Sequence, residues 1–365
     1  MIKTRVLIVD DSVVIRKIVG DILSAEADVE IVGKAGNGQI ALQMIPQVNP
    51  DIITLDVEMP VMDGLTTLAE IRKKWPKLPV IMFSTLTQTG TKTTVEALSL
   101  GASDFVSKPA NQGSAEAATK YIRDQLVEKI HNLCPQKGAP VQSQAQTVDA
   151  SKWVKPQTGV KPIEIVAIGC STGGPNALAA LFPTFPANFP VPIVIVQHMP
   201  PVFTKLLAER LDLKSSVRVA EAAPGMILAP GKAYIAPGDF HMVLARRGTN
   251  IVTNIEKGQP ENSCRPSVDV LFRSVVQVYG GNVLGVVLTG MGQDGLRGCE
   301  KIREAGGRVI AQDEASSVVW GMPGFVAKAG LAENVATLND VAGLIIRKVN
   351  ESRLGRAGTG VPAGL

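Results

Sequence analysis

Cysteine is scarce in this chain of 365 residues. Its four cysteines are Cys134, Cys170, Cys264 and Cys299, and no two of them form a CxxC pair. Cysteines spaced this widely match neither a zinc-site pattern nor a disulfide framework. The cysteine content is therefore typical of a reducing compartment, and we expect a cytoplasmic protein.

Strong charge of one sign and long apolar runs are also lacking. The net charge is only +4, and neither half of the chain carries the basic stripe of a nucleic-acid-binding protein. No apolar run approaches the ~20 residues of a membrane span, and MIKTR leads straight into the predicted strand VLIVD. We therefore expect no nucleic-acid partner, no signal peptide and no direct membrane insertion.

The first half alternates short Val- and Ile-rich strands with amphipathic helices, which predicts a parallel doubly wound α/β sheet. One further amphipathic helix is predicted over residues 114–133. The five predicted strands cover residues 5–9, 30–35, 51–55, 79–84 and 104–107.

The composition changes after this helix. Residues 135–162 are rich in Gln, Pro, Ser and Gly, which indicates a linker, and the lone Trp153 lies within it. The α/β alternation then resumes, interrupted between about 217 and 256 by turn signals that predict a β-hairpin excursion. Strands are predicted at 163–168, 191–196, 283–288 and 308–311. We therefore predict two domains, 1–122 and 161–350, joined by a helix extension and linker over 123–160 and followed by a disordered tail over 351–365.

Three strands of the second half end in a nucleophile, a base and an acid. Ser171 follows IEIVAIGC, His198 follows VPIVIVQ, and Asp294 lies in the loop after NVLGVVLTG. The carboxyl ends of parallel strands open into a common crevice, so these residues can meet. They predict a Ser-His-Asp hydrolase.

The segment GCSTG fits the G-x-S-x-G turn that exposes a serine hydroxyl. A glycine-rich turn after a strand is more often a phosphate or dinucleotide cradle, but GCSTGGP lacks the G-x-G-x-x-G pattern. The backbone of Thr172, at a helix N-terminus, can stabilise an oxyanion. Asp313 also follows a strand and competes with Asp294 as the acid, whereas His241 is predicted to be structural.

The first half contains a predicted phosphoacceptor pocket. Asp10, Asp11 and Asp56 at strand ends can supply the carboxylates that Mg²⁺ prefers. A carboxylate beside Mg²⁺ can accept a phosphoryl group, which Lys108 can pair with and the Ser84 hydroxyl can bind.

This spacing, with LDVEMPVMDG and SKP, closely resembles the receiver domains of response regulators over residues 1 to about 122. The resemblance implies phosphorylation at Asp56, help from the Glu58 carbonyl in holding Mg²⁺, a switch hydroxyl at Ser84 and a rotamer change at Phe105. It also implies a flavodoxin-like (βα)5 fold. Asp63 is predicted to cap a helix.

GCSTGGP, VQHMPP and LTGMGQDG, in this order, resemble the catalytic domain of the chemotaxis protein-glutamate methylesterases, the CheB family. The resemblance covers residues 160 to 350 and implies that Ser171 attacks glutamate γ-methyl esters on chemotaxis receptors, with His198 as base and Asp294 fixing its tautomer. Met291 lies where the family places a second oxyanion donor. A chemotaxis histidine kinase would be the phosphodonor, and glutamine deamidation is a second activity of the family.

Three other functions compete with this interpretation. A transcriptional regulator would need a recognition helix and a basic face, which residues 159–365 lack. A non-catalytic phospho-dependent scaffold and a generic serine esterase under receiver control stay open at this point. Fluorophosphonate labelling of Ser171 would distinguish the first of these, and receptor-derived methanol release the second.

Overall fold

The computed structural model describes residues 3–85, 87–108, 115–135 and 161–357. The chain divides into two compact units, Met1–Ser143 and Gln144–Leu365. Most of the predicted linker, including Trp153, lies outside the described residues, as do the last eight residues of the predicted tail. None of the described helices is both long enough and apolar enough to cross a membrane.

The first unit contains one parallel sheet of five strands in the order β2-β1-β3-β4-β5. This order is that of flavodoxin-like sheets, as predicted. The strands are β1 Thr4–Val9, β2 Val29–Ala35, β3 Ile52–Asp56, β4 Val80–Ser84 and β5 Asp104–Ser107. The helices are α1 Val13–Ser24, α2 Gly38–Val48, α3 Gly64–Lys74, α4 Gln88–Ser99 and α5 Ala115–Leu133.

Helix caps and apolar faces explain why these segments fold as they do. Asp63 caps α3 by accepting a hydrogen bond from Thr66 N at 2.7 Å, which confirms that prediction. Ile122, Leu126 and Ile130 of α5 are buried in the same core as the strands. The apolar face predicted for residues 114–133 is therefore the face that packs on the sheet.

The second unit contains a parallel sheet of seven strands in the order β14-β13-β12-β6-β7-β9-β8, and an antiparallel pair, β10-β11. The strands are β6 Ile165–Cys170, β7 Ile193–Gln197, β8 Arg218–Glu221, β9 Lys232–Ile235, β10 His241–Arg247, β11 Asn250–Glu256, β12 Val283–Val287, β13 Arg308–Gln312 and β14 Asn334–Ala336. The helices are α6 Gly174–Leu181, α7 Phe203–Lys214, α8 Val268–Tyr279, α9 Leu296–Glu304, α10 Met322–Lys328 and α11 Leu338–Ala357.

The predicted hairpin excursion is shorter than the sequence pattern suggested. Only β10 and β11 form a hairpin, whereas β8 and β9 pair in parallel and extend the main sheet. The connection 222–231 contains no helix, and its Pro and Gly residues resemble a hairpin turn although the chain crosses over to a parallel strand. Strand β14 was not predicted, since three residues give no periodicity.

The predicted boundary of the tail at residue 351 is wrong. Helix α11 continues to Ala357, and its buried positions include Val349 and Ser352. The hydroxyl of Ser352 accepts a hydrogen bond from Ile163 N at 2.9 Å and so ties the helix to the start of the unit.

Strand order determines where each unit can bind a ligand. In the second unit β6 lies between β7 and β12, so the chain leaves β6 toward one side and returns on the other. In the first unit β1 lies between β2 and β3 in the same way. The carboxyl ends of strands at such a switch point form a crevice. Each unit therefore places its predicted site at this crevice.

Candidate active site and phosphoacceptor pocket

Ser171 lies in the turn between β6 and α6, and its backbone is fixed on both sides. Its N–H donates to Thr289 O at 3.0 Å, and its carbonyl accepts from Gly174 N at 2.8 Å and Gln197 Nε2 at 2.9 Å. Gly173 has φ +77°, a left-handed conformation that favours glycine. The turn thus holds a half-buried serine at the carboxyl edge of the central strand.

A hydrogen bond joins the side chains of His198 and Asp294. His198 follows β7, Asp294 follows β12, and Nε2 of the histidine lies 2.8 Å from Oδ2 of the aspartate. The side chain of Asp294 is only 2% exposed and that of His198 is 12% exposed. A buried, charge-assisted contact of this length orients the imidazole ring.

Six donors surround the Asp294 carboxylate. Besides His198, they are Val268 N at 2.7 Å, Ser267 Oγ at 2.9 Å, Asp269 N and Asn262 Nδ2 at 3.0 Å, and Gly295 N at 3.1 Å. The two N–H groups of Val268 and Asp269 belong to the N-terminus of α8, which favours an anion. Burial alone would raise the pKa of Asp294, but His198 and the backbone donors outweigh it and lower that pKa. Asp294 is therefore held as a carboxylate.

The second ring nitrogen of His198 lies next to Cys264, a residue that was not predicted to belong to the site. Nδ1 lies 3.5 Å from Sγ of Cys264. Burial opposes the charged imidazolium, but the contacts with Asp294 and Cys264 together raise the pKa of His198 above its ordinary 6.5. Among the described residues, no hydrogen bond joins Ser171 Oγ to His198.

A tight turn over residues 261–264 places Cys264 against the ring. Glu261 N donates to Cys264 O at 3.1 Å, and Cys264 N donates back to Glu261 O at 2.9 Å. Asn262 and Ser263 between them have φ values of +52° and +61°. Arg273 of α8 donates two hydrogen bonds of 2.6 Å to the Glu261 carboxylate. The turn is thus closed by backbone pairing and anchored to a helix.

Asp269 is a second buried carboxylate next to Asp294. Its oxygens accept from Gly298 N at 2.6 Å and from Asn262 Nδ2 at 2.9 Å. Burial first, and then the charge of Asp294, raise the pKa of Asp269 to about 6. The Asn262 amide therefore bridges two carboxylates that would otherwise repel one another.

Sequence reasoning missed these supporting residues, and only one of them carried a signal. Ser267 precedes the apolar run of α8 and accepts from Val270 N as its N-cap, a pattern that the sequence alone could have indicated. Asn262, Cys264 and Asp269 reach the site only through the 261–264 turn and the position of α8. Nothing in their spacing relates them to Ser171.

Asp313, the competing candidate for the acid, belongs to a separate hydrogen-bond network. Asp313 follows β13, as predicted, but its side chain accepts hydrogen bonds from Ser316 and stabilises the turn after the strand. His241 begins β10 and is buried, with Nε2 2.9 Å from Gln259 O and Nδ1 accepting from Ser267 N at 3.2 Å. The geometry thus favours Asp294 as the acid and a structural role for His241.

The predicted oxyanion donors lie on the two loops beside the nucleophile. Thr172 is buried directly after Ser171, and Met291 is half-buried in the loop after β12. A Cβ on the adjacent Gly290 would come within 2.9 Å of Ser171 Cβ, so this loop passes close to the serine. The use of their N–H groups for an oxyanion stays a prediction.

In the first unit, Lys108 contacts two of the predicted carboxylates. Its Nζ lies 2.7 Å from Asp56 Oδ2 and 2.9 Å from Asp10 Oδ2. The pKa of Asp56 is raised to about 6, chiefly by burial and to a lesser extent by the neighbouring Asp10. Lys108 acts in the opposite direction and lowers this pKa. The three side chains form one pocket at the ends of β1, β3 and β5.

The carboxylates of this pocket suit a hard divalent cation. Asp10, Asp11 and Asp56 each offer an oxygen within 4.8 Å of the others. Among the described residues, none donates a hydrogen bond to the buried Oδ2 of Asp10, although Lys108 Nζ lies 2.9 Å from it. Oxygen ligands in this number fit Mg²⁺. A contribution from the Glu58 carbonyl stays a prediction.

The predicted switch residues occupy defined positions. The Ser84 hydroxyl donates toward Gly90 O at 3.1 Å and accepts from Thr94 Oγ1 at 2.6 Å, so α4 holds it. Phe105 is 7% exposed, and Lys129 Nζ lies 5.9 Å from its ring centroid. Neither side chain contacts Asp56 through a hydrogen bond in this conformation, and their movement on phosphorylation stays a prediction.

Family models match both units. The model described as CheB methylesterase matches residues 166–345, and the model of the response regulator receiver domain matches residues 6–120. The chain belongs to the CheB methylesterase family. It is therefore an enzyme, a carboxylic ester hydrolase that carries a response regulator receiver domain.

Relatives match almost end to end. A protein-glutamate methylesterase/protein-glutamine glutaminase of Trichodesmium erythraeum is 55% identical over 96% of this chain and its own full length. A protein of the same name from a Nocardioides strain is 48% identical over 96% of each chain. The Thermotoga maritima CheB methylesterase catalytic domain, known from a crystal structure, is 44% identical in sequence and superposes with a TM-score of 0.50. The match covers 50% of this chain and 97% of that domain.

Proposed function

We propose that this enzyme hydrolyses glutamate γ-methyl esters on methyl-accepting chemotaxis receptors, and that phosphorylation of Asp56 controls the reaction. The observation that carries the proposal is the buried His198–Asp294 pair on the strands that flank the Ser171 turn. The names of the full-length relatives support the substrate class.

The chemistry begins at Ser171. Its oxygen attacks the ester carbonyl while its proton passes to His198, and the methoxy group leaves with that proton as methanol. Water then attacks the acyl-enzyme and gives a proton to His198. The acyl bond breaks, Ser171 regains its hydroxyl proton from His198, and the γ-carboxyl group of glutamate is released and loses its remaining proton to solvent.

The ring orientation selects the nitrogen that would accept the proton. Nε2 of His198 is engaged with Asp294, so Nδ1 is the nitrogen that can serve as base. Asp294 stabilises the imidazolium that forms. N–H groups of Thr172 and Met291 would stabilise the oxyanion. With a glutamine amide in place of the ester, the same steps release ammonia, and we propose protein-glutamine deamidation as a second activity.

The receiver unit would accept a phosphoryl group from the chemotaxis histidine kinase. Asp10, Asp11 and Asp56, with the Glu58 carbonyl, would hold Mg²⁺, which offsets the charge on the transferred phosphoryl oxygens. The Asp56 carboxylate receives the phosphoryl group, Lys108 pairs with it, and Ser84 and Phe105 respond to it. The four free cysteines accord with a cytoplasmic location.

Methanol release from methylated receptor membranes tests this proposal. The enzyme should demethylate the receptor far faster, per kcat/KM, than it hydrolyses a small methyl ester of similar reactivity. Equal kcat/KM values would instead identify a generic esterase. Absence of fluorophosphonate labelling at Ser171, with no methanol released, would support a non-catalytic scaffold.

A further inference from the structure

The thiol of Cys264 has no part in the proposed hydrolysis, yet the fold holds it against the base. Sγ lies 3.5 Å from Nδ1 of His198, at the ring nitrogen opposite the one that contacts Asp294. Cys264 is half-buried and the His198 side chain keeps 12% exposure, so both residues are partly open to solvent. The turn and its anchor on Arg273 fix this arrangement before any ligand arrives.

The distance between the two atoms matches that of two ligands on one zinc ion. Zinc binds thiolate sulfur at about 2.3 Å and imidazole nitrogen at about 2.0 to 2.1 Å, usually with tetrahedral angles. Two ligands at those lengths and angles are about 3.5 Å apart. The observed separation therefore requires little movement of either side chain.

The other ring nitrogen of His198 makes the contact with a carboxylate that metal-binding histidines usually make. Such histidines commonly donate their other N–H to a carboxylate, which fixes the tautomer and raises the basicity of the bound nitrogen. Nε2 of His198 has this relationship with Asp294. Asp294 itself is not a further ligand, since its oxygens already accept six hydrogen bonds.

We propose that Cys264 Sγ and His198 Nδ1 form a binding site for a thiophilic divalent cation of the Zn²⁺ class, and that occupation of this site reversibly inhibits the hydrolase. On binding, the thiol releases its proton to solvent and the imidazole remains neutral with its proton on Nε2. Water completes the coordination. The bound metal occupies the nitrogen that must accept the Ser171 proton, so turnover stops until the metal leaves.

Cobalt binding tests the site without relying on activity. Co²⁺ should be added to the full chain in saturating Mg²⁺, which occupies the oxygen ligands of the receiver pocket. We expect a thiolate-to-cobalt charge-transfer band in the wild type and in Ser171→Ala, and its loss in Cys264→Ser. Cys134→Ser is the matched control and should keep the band, because Cys134 lies in the other unit.

Zinc inhibition is measured in parallel, with each variant referred to its own metal-free rate. Removing a ligand should weaken inhibition by about tenfold or more, since even the loss of a supporting partner costs about 10- to 100-fold in metal affinity. An unchanged cobalt band or unchanged zinc inhibition in Cys264→Ser overturns the proposal, as does the absence of a band in the wild type.

The inhibitory part rests on the proposed hydrolysis, whereas the binding part does not. A protein that released no methanol but showed the Cys264-dependent band would refute the proposed function and retain the metal site. A protein that released methanol but showed no band would support the proposed function and refute the metal site.

Discussion

Nε2 of His198, and not Nδ1, lies 2.8 Å from Asp294, which reverses the ring orientation of chymotrypsin-like proteases. The acid and base still act as a unit, because the carboxylate fixes the tautomer from either nitrogen. In the proposed mechanism Nδ1 would be the catalytic nitrogen, and Cys264 Sγ lies 3.5 Å from it.

Ser171→Ala should lower receptor-derived methanol release by about 10³-fold or more, since nucleophile and base depend on each other. The change removes one hydroxyl from a turn whose hydrogen bonds are made by the backbone, so circular dichroism and thermal unfolding should stay as in the wild type. The exposed Ser216 provides a matched control, and Ser216→Ala should retain full activity. Substantial activity in Ser171→Ala would refute the nucleophile assignment.

Replacing the acid distinguishes between two aspartates. Asp294→Asn should lower kcat by about 10²- to 10⁴-fold, because an amide no longer fixes the tautomer and its NH₂ group can face the N–H donors of α8. Asp313→Asn should affect kcat little, since Asp313 bonds to Ser316 in its own turn. Steady-state kinetics of both variants decide the matter, and a larger loss from Asp313→Asn would reassign the acid.

The activity should rise with pH through an apparent pKa above 6.5. A protonated His198 cannot accept the Ser171 proton, and its contacts with Asp294 and Cys264 raise its pKa, so the neutral base forms only at higher pH. The kcat/KM of ester hydrolysis should be measured over about pH 6 to 10, with chemistry shown to be rate-limiting. Residual activity in Asp294→Asn should titrate at lower pH. A flat wild-type profile would exclude His198 as base.

The amide of Asn262 should contribute to stability. Asn262→Gly keeps a residue that tolerates φ +52° but removes the donor between Asp269 and Asp294. We expect unfolding to become easier by about 1 to 3 kcal/mol, the cost of leaving buried polar groups unsatisfied. Urea denaturation near neutral pH measures this change. Ser263→Gly, at the next position of the same turn, is the control and should have a smaller effect. Equal losses would attribute the effect to the turn alone.

The positions of Ser171, His198, Asp294 and Asp56 could be predicted because each lies at or after the end of a buried strand, and strand ends in parallel sheets converge. The contact of Cys264 with His198 could not, since it depends on a turn of two left-handed residues between a hairpin and a helix. The parallel pairing of β8 and β9 was missed for a related reason. Pro and Gly mark a change of direction in the chain, but they do not show whether the next strand returns antiparallel or crosses over.

The last prediction concerns control by the receiver. A small acyl phosphate donor with Mg²⁺ should phosphorylate Asp56 and raise methanol release by the full chain about 5- to 150-fold, the range that coupling of ~1 to 3 kcal/mol allows. Asp56→Asn should remain at the resting rate under the same conditions, whereas Asp21→Asn, which changes an exposed aspartate of α1, should respond as the wild type does.

Two further variables separate phosphorylation from its consequence. Omission of Mg²⁺ should prevent phosphorylation and activation without changing the resting rate, because the proposed hydrolysis uses no Mg²⁺. Lys108→Ala removes the cation 2.7 Å from Asp56, so phosphate incorporated at Asp56 should activate the hydrolase less per modified molecule. Incorporated phosphate and methanol release are measured on the same samples. Full activation of Asp56→Asn by the donor would show that the signal enters the enzyme at another residue.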